Sequence, residues 1–210
     1  MIAIIDYGRG NLGSVEKAFV RVGVPAAVTQ DARAVDEAEA VVLPGDGAFH
    51  DAMANLTSLG LLPALRRALD GTRPFLGICL GYQLLFSTSE EFGEGRGLDV
   101  VPGAVRRFPA GEKVPHMGWN QVEHAGDLRL FAGVPSGAFF YFVHSYYPVI
   151  PDGADLHVAW CDYGVRFAAA IERGRLYATQ FHPEKSQRWG LRLLENFAAI
   201  VKSSSGSAAR

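Results

Sequence analysis

Hydrophobic positions in the first half of the chain fall into short unbroken runs separated by stretches at helical spacing. Residues 1–6 are apolar up to Asp6, residues 40–43 read Ala-Val-Val-Leu, residues 74–78 end in Leu-Gly-Ile, and a shorter run covers residues 26–30. Runs that are apolar at every position, not at alternate ones, belong to strands covered on both faces. Between them, residues 11–22 read as a helix. Leu61, Leu62, Leu65 and Leu69 recur at the spacing that lays one helix face on a sheet, and another helix is expected to begin over residues 80–86. This alternation predicts an α/β fold with an open, mainly parallel central sheet and helices on both faces.

From about Gly93 the texture changes. Gly93, Gly95, Gly97, Pro102, Gly103, Pro109, Gly111 and Pro115 break the chain into short pieces. Residues 139–143, 156–161, 168–172 and 176–179 read as strands joined by turns, so the second half adds antiparallel strands and makes the sheet mixed. Residues 188–201 carry Leu193, Leu194, Phe197, Ile200 and Val201 on one side of a last helix. One domain is expected over residues 1–202, followed by a frayed polar tail, residues 203–210.

Composition narrows the class without naming a chemistry. A chain of 210 residues, 49% hydrophobic and 20% charged, has ample material for a core. A formal net charge of -2 offers no electrostatic grip on nucleic acid or anionic lipid. The first residues have no basic segment and reach Asp6 early, so they read as a strand, not a signal peptide. No apolar run approaches the roughly 20 residues needed to cross a bilayer. The two cysteines, Cys79 and Cys161, show no zinc spacing, which points to a reducing cytoplasm and to no metal.

Cys79 stands in Gly77-Ile78-Cys79-Leu80-Gly81, directly after an apolar run and before a helix. That is the nucleophile-elbow pattern with cysteine in place of serine. A sharp turn forces the nucleophile into a strained conformation, tolerable only where flanking glycines leave room for the approaching chain. Backbone N–H groups at the helix start favour a thiolate, and the N–H of Leu80 is placed to hold an oxyanion. Cys161 lacks such a frame and reads as a buried filler.

A thiolate needs a base, and the base an orienting group. His182-Pro183-Glu184 follows the run over residues 176–179. Proline restricts His182 to extended geometry, and Glu184 is close enough in sequence to bond the ring nitrogen that faces away from the sulfur. Both motifs lie at carboxyl ends of strands, where open α/β sheets place their sites. The loop Pro44-Gly45-Asp46-Gly47, after another such strand, supplies a second oxyanion donor, assigned to the N–H of Gly47.

These motifs resemble the class I (triad) glutamine amidotransferases. The segments over residues 6–12, 44–49, 77–85, 116–120 and 180–186 are similar to one branch, the glutaminase subunits of imidazole glycerol phosphate synthase in histidine biosynthesis. The resemblance implies hydrolysis of L-glutamine by Cys79, His182 and Glu184, with no cofactor. It implies substrate contacts from Gln83, Glu91, Ser145 and Tyr146, where Ser145 replaces the threonine usual in the family. It also implies a heterodimer with a (β/α)₈-barrel cyclase that receives the ammonia, faced by Asn11, Trp119, Tyr141 and Lys185.

Other readings compete. Another class I amidotransferase subunit would share the elbow and the His-Pro-Glu turn. Gly8-Arg9-Gly10-Asn11-Leu12-Gly13 is a literal G-x-G-x-x-G between strand and helix with Asp31 beyond the next strand, the context of a dinucleotide-binding module. An α/β-hydrolase shares the elbow, although there the acid precedes the histidine. A catalytically dead structural partner would have no use for an intact Cys-His-Glu set. His50, His116, His124 and His157 show no metal spacing and read as surface or supporting groups.

Overall fold

The computed structural model describes residues 1–207. In chain order its strands are β1 (Ile2–Ile5), β2 (Ala26–Thr29), β3 (Ala40–Leu43), β4 (Phe75–Ile78), β5 (Phe86–Ser89), β6 (Gly95–Arg96), β7 (Val101–Arg107), β8 (His116–Val122), β9 (Ala138–His144), β10 (Tyr146–Val149), β11 (His157–Tyr163), β12 (Val165–Arg173) and β13 (Leu176–Thr179). The α-helices are α1 (Leu12–Arg21), α2 (Ala32–Glu37), α3 (Phe49–Ser58), α4 (Leu62–Ala68), α5 (Leu80–Gln83) and α6 (Gln187–Ser207).

Seven strands form one sheet in the order β11-β12-β13-β4-β3-β1-β2. Pairing is parallel from β2 through β13 and antiparallel from β13 to β11, so the sheet is mixed, as expected. Strands β1, β3, β4 and β13 are buried at every residue because both sheet faces are covered. Alternate side chains serve opposite cores. Ile4, Val42 and Leu76 join Phe19 of α1 and Phe197 of α6, whereas Ile5, Val41 and Phe75 pack with Phe49 of α3 and Leu65 of α4. Two smaller sheets lie outside it, β10-β7-β5-β6 and the antiparallel ribbon β8-β9.

Three features differ from the reading of the sequence. The helix expected over residues 80–86 is the four-residue α5, after which the chain enters β5. The carbonyls of Leu84 and Leu85 accept the N–H groups of Leu98, Val100 and Val101, so those residues pair across the molecule and do not extend the helix. Helices α2 and α3 were not singled out by the spacing. Asp31 caps α2 by accepting the Arg33 N–H, and α3 buries Phe49, Ala52 and Leu56. The tail expected from residue 203 is helical through Ser207, as the last part of α6; residues 208–210 lie outside those described. Among the described residues no helix is long and apolar enough to cross a membrane.

Candidate active site

Four parallel strands deliver their carboxyl ends to one cleft. Strand β4 leads into Cys79, β3 into Gly45 to Gly47, β1 into Tyr7 to Asn11, and β13 into Gln180 to His182. Cys79 has φ +54°, a left-handed conformation that a non-glycine residue adopts at a cost of order 1–3 kcal/mol. The strain is sustained by the packing of the turn. A Cβ on Gly81 would lie 1.7 Å from the Leu43 carbonyl oxygen, and one on Gly77 would lie 3.0 Å from the Gly81 oxygen. Only glycines let α5 pass so close over β3 and β4.

The cleft has a volume of about 390 Å³. It brings together Cys79, Leu80, Gly47, Gln83, Glu91, Ser145, Tyr146 and His182, with Asn11 and Lys185 also in its wall. Trp119 and Tyr141 lie elsewhere, paired across the β8-β9 ribbon with ring centroids 6.1 Å apart. Glu184 stands behind His182: its Oε1 is 2.8 Å from His182 Nδ1, and both side chains are buried. Nδ1 therefore carries the proton that Glu184 accepts, and Nε2, which has no other partner, is the nitrogen left for the sulfur.

A family model described as "Glutamine amidotransferase class-I" matches residues 3–201. The chain belongs to that family.

Among its relatives, "Imidazole glycerol phosphate synthase subunit HisH" of Moorella thermoacetica is 55% identical, over 96% of this chain and 95% of the relative. The protein of the same name in Methanothermobacter thermautotrophicus is 52% identical, over 96% of this chain and 100% of the relative. A crystal structure described as that of a glutamine amidotransferase has the same fold, with TM-score 0.75 at 19% identity over 96% of this chain and 100% of that one. The glutaminase domain of Trypanosoma brucei CTPS with bound acivicin also shares it, with TM-score 0.68 at 17% identity over 96% and 93%.

In this amidotransferase the His-Pro-Glu turn is held by the ribbon. The His182 N–H donates to the Tyr141 carbonyl at 3.0 Å, and the Ser186 hydroxyl accepts the Tyr141 N–H at 3.0 Å while donating to the His182 carbonyl at 2.6 Å. Burial by itself would push the His182 imidazole down. The negative charge of the nearby Cys79 sulfur, together with the Glu184 carboxylate bonded to the ring, outweighs burial and lifts it to about 10.

The loop from Gly45 to Gly47 has a defined resting arrangement. The Leu80 N–H points to the Gly45 carbonyl at 3.4 Å, so that donor is occupied by the loop itself. Gly47 has φ +85° and is exposed. The loop rests on the segment after β1, where the Gly10 N–H donates to Asp46 Oδ1 at 3.0 Å. Glu91 ties down the other side, accepting the Phe49 N–H at 2.7 Å and so capping α3.

The dinucleotide reading fails on the same residues. A Cβ on Gly10 would lie 3.2 Å from the backbone of Gly45, so this glycine admits the neighbouring loop, not a pyrophosphate. The third glycine, Gly13, has open space around it instead of the close helix–strand packing the fingerprint requires. The Asp31 side chain is engaged as a helix cap.

Several groups were beyond sequence reasoning. Gln180, next to the conspicuous His-Pro-Glu, is fully buried against Gln83 and Cys79. His116, read as a supporting group, stacks between Phe142 and Tyr163 and bonds His144 at 3.0 Å. Burial pushes His116 down to about 4 and His144 to about 3, so both are neutral at pH 7. The tautomers then follow from the partners: Asn120 donates to His116 Nε2, His116 Nδ1 donates to His144 Nε2, and His144 Nδ1 donates to the Tyr146 carbonyl.

Proposed function

We propose that this chain hydrolyses L-glutamine to glutamate and ammonia, and that Cys79, His182 and Glu184 carry the reaction. The observation that supports it most directly is the union of a left-handed Cys79 at the end of β4 with a His182 whose Nδ1 is bonded to Glu184 in one cleft. The Cys79 thiolate attacks the side-chain amide carbon. The N–H groups of Gly47 and Leu80 hold the developing oxyanion, each such donor contributing roughly 3 kcal/mol. The His182 imidazolium gives its Nε2 proton to the leaving nitrogen, the C–N bond breaks, and ammonia departs from a glutamyl thioester. His182, now neutral, takes a proton from water as it attacks, and glutamate is released with the thiolate restored. No cofactor enters these steps.

Gln83, Glu91, Ser145 and Tyr146 surround the substrate's amino-acid end in the same cleft. The partner is a (β/α)₈-barrel cyclase subunit, which consumes the ammonia to form imidazole glycerol phosphate and aminoimidazole carboxamide ribonucleotide in the cytoplasm. The names of the relatives support this reading. Asn11 and Lys185 at the cleft, with Trp119 and Tyr141 on the ribbon, face that partner, and the chain acts as one catalytic domain within a heterodimer. Because Leu80 is occupied by Gly45, the isolated chain rests with its oxyanion site incomplete, and the loop over residues 45–47 reorients when the partner binds its ligand.

The test is co-purification with a barrel cyclase followed by a glutaminase assay on native protein and Cys79→Ala. The variant should fold, bind the partner and release no glutamate. Retained turnover would mean a different nucleophile.

A further inference from the structure

Gln180 is 0% exposed and lies between β13 and the His-Pro-Glu turn. Its Nε2 is 3.7 Å from Cys79 Sγ and its Oε1 is 3.0 Å from Gln83 Nε2. The two ends of an amide are told apart only by what they meet, and here one group settles both. The Tyr146 carbonyl oxygen can only accept, so the Gln83 end that faces it at 2.9 Å is the NH₂ group. That same nitrogen faces Gln180, which must therefore present its oxygen. The Gln180 NH₂ is left pointing at the sulfur. The Tyr146 carbonyl also accepts from His144 Nδ1 at 2.8 Å, so it is held in place from a second side.

We propose that Gln180 is a further catalytic residue, donating an N–H hydrogen bond to the Cys79 thiolate, and that Gln83 is the positioning residue that keeps that donor aimed at the sulfur. An amide buried this deeply is costly unless both ends are bonded, and an apolar side chain of equal length would fill the space without that cost. A donor to an ionised acceptor bonds more strongly than to a neutral one, so the arrangement favours thiolate over thiol. The hydrogen bond that the sulfur itself donates works the opposite way. The thiol donates to the Val143 carbonyl at 3.9 Å, a bond that the thiolate cannot make. Gln180 thus offsets a carbonyl that would hold the proton on. The orientation also turns Gln83 Oε1 away from these donors, as an acceptor on the residue that lines the cleft.

The inference rests on Cys79 being the nucleophile, and the experiment separates the two. Alkylation by iodoacetamide is followed against pH for the chain in complex with its cyclase, with the modified cysteine located by mass spectrometry. Cys161 is the internal control, since it is buried and its thiol is pushed up to about 12. In Gln180→Met, which keeps length and apolar volume, the midpoint for Cys79 should rise by about one pH unit, a tenfold loss of thiolate below it. Gln83→Met leaves Gln180 in place but frees its amide, and should raise the midpoint by a smaller amount. A merely structural role would lower kcat or stability and leave the midpoint where it is.

An unmoved midpoint in both variants, with Cys79 still alkylated, overturns the proposal and leaves the nucleophile intact. Should Gln180→Met fail to fold, an unmoved midpoint in folded Gln83→Met is sufficient to reject it. Native protein that alkylates elsewhere than at Cys79 overturns the nucleophile itself.

Discussion

The carbonyl oxygen of Gly45 accepts the amide hydrogen of Leu80 at 3.4 Å, and in doing so covers a backbone donor that sits one residue after Cys79. Cys79 and His182 are assembled in one cleft while the N–H proposed to receive the oxyanion is engaged. A hydrogen bond this long is weak, which suits the proposed reorientation of the loop during turnover. Glutamate release by the isolated chain should therefore be close to background, rising when the cyclase and its ligand are added. Full activity of the chain alone would sink the gating idea.

Gly45 also has a steric constraint. A Cβ there would lie 1.8 Å from the Tyr7 hydroxyl and 3.1 Å from Tyr7 Cζ. The hydroxyl is buried and has no hydrogen-bond partner. Gly45→Ala should cost about 1–3 kcal/mol in urea unfolding as the loop moves aside. Tyr7→Phe should be close to neutral, because it removes an unbonded polar atom. Combined, the two should be less destabilising than their sum, since the phenylalanine relieves the worst contact. A Tyr7→Phe loss above about 2 kcal/mol would show that the hydroxyl is bonded in solution.

Glu184 touches His182 but lies outside the cleft, so the part we propose for it is to fix which nitrogen carries a proton and to stabilise the imidazolium. In Glu184→Gln the amide can bond Nδ1 through its NH₂ group and favour the wrong tautomer. We expect kcat to drop by roughly 10²–10⁴-fold with KM for glutamine nearly unchanged. A proportional rise in KM would assign Glu184 to substrate binding instead.

His116 and His144 make the fold sensitive to acid. Both have pKa values lowered in the folded state, so between about 6.5 and about 4 the unfolded chain binds protons that the folded one refuses. Stability should be unaffected by these groups above pH 6.5 and fall as pH drops through this window, by about 1.4 kcal/mol per pH unit per histidine. In His116→Phe, which preserves the stacking on Phe142 and Tyr163, denaturant unfolding across pH 4 to 6.5 should show a shallower slope by one such increment. An unchanged slope would mean that His116 protonates freely in the folded protein.

What the sequence determined by itself is local. A short unbroken apolar run stopped by turn residues fits a strand covered on two faces, which is why β1, β3 and β4 were legible. Gly77 and Gly81 around Cys79 specify a turn within five residues, and Pro183 restricts the backbone of His182 next to it. These are properties of a few bonds, independent of what packs above them. The tertiary structure decided everything that depends on a partner far along the chain. Helix α5 stops after Gln83 because the carbonyls of Leu84 and Leu85 find donors in residues 98–101. The Leu80 N–H is covered by a loop from another strand end. Gln180 meets Cys79 across 101 residues and Gln83 across 97, and the direction of both amides is dictated by a backbone carbonyl at Tyr146. A buried amide or imidazole takes its polarity from whichever acceptor the fold brings within 3 Å, and no spacing along the chain carries that information.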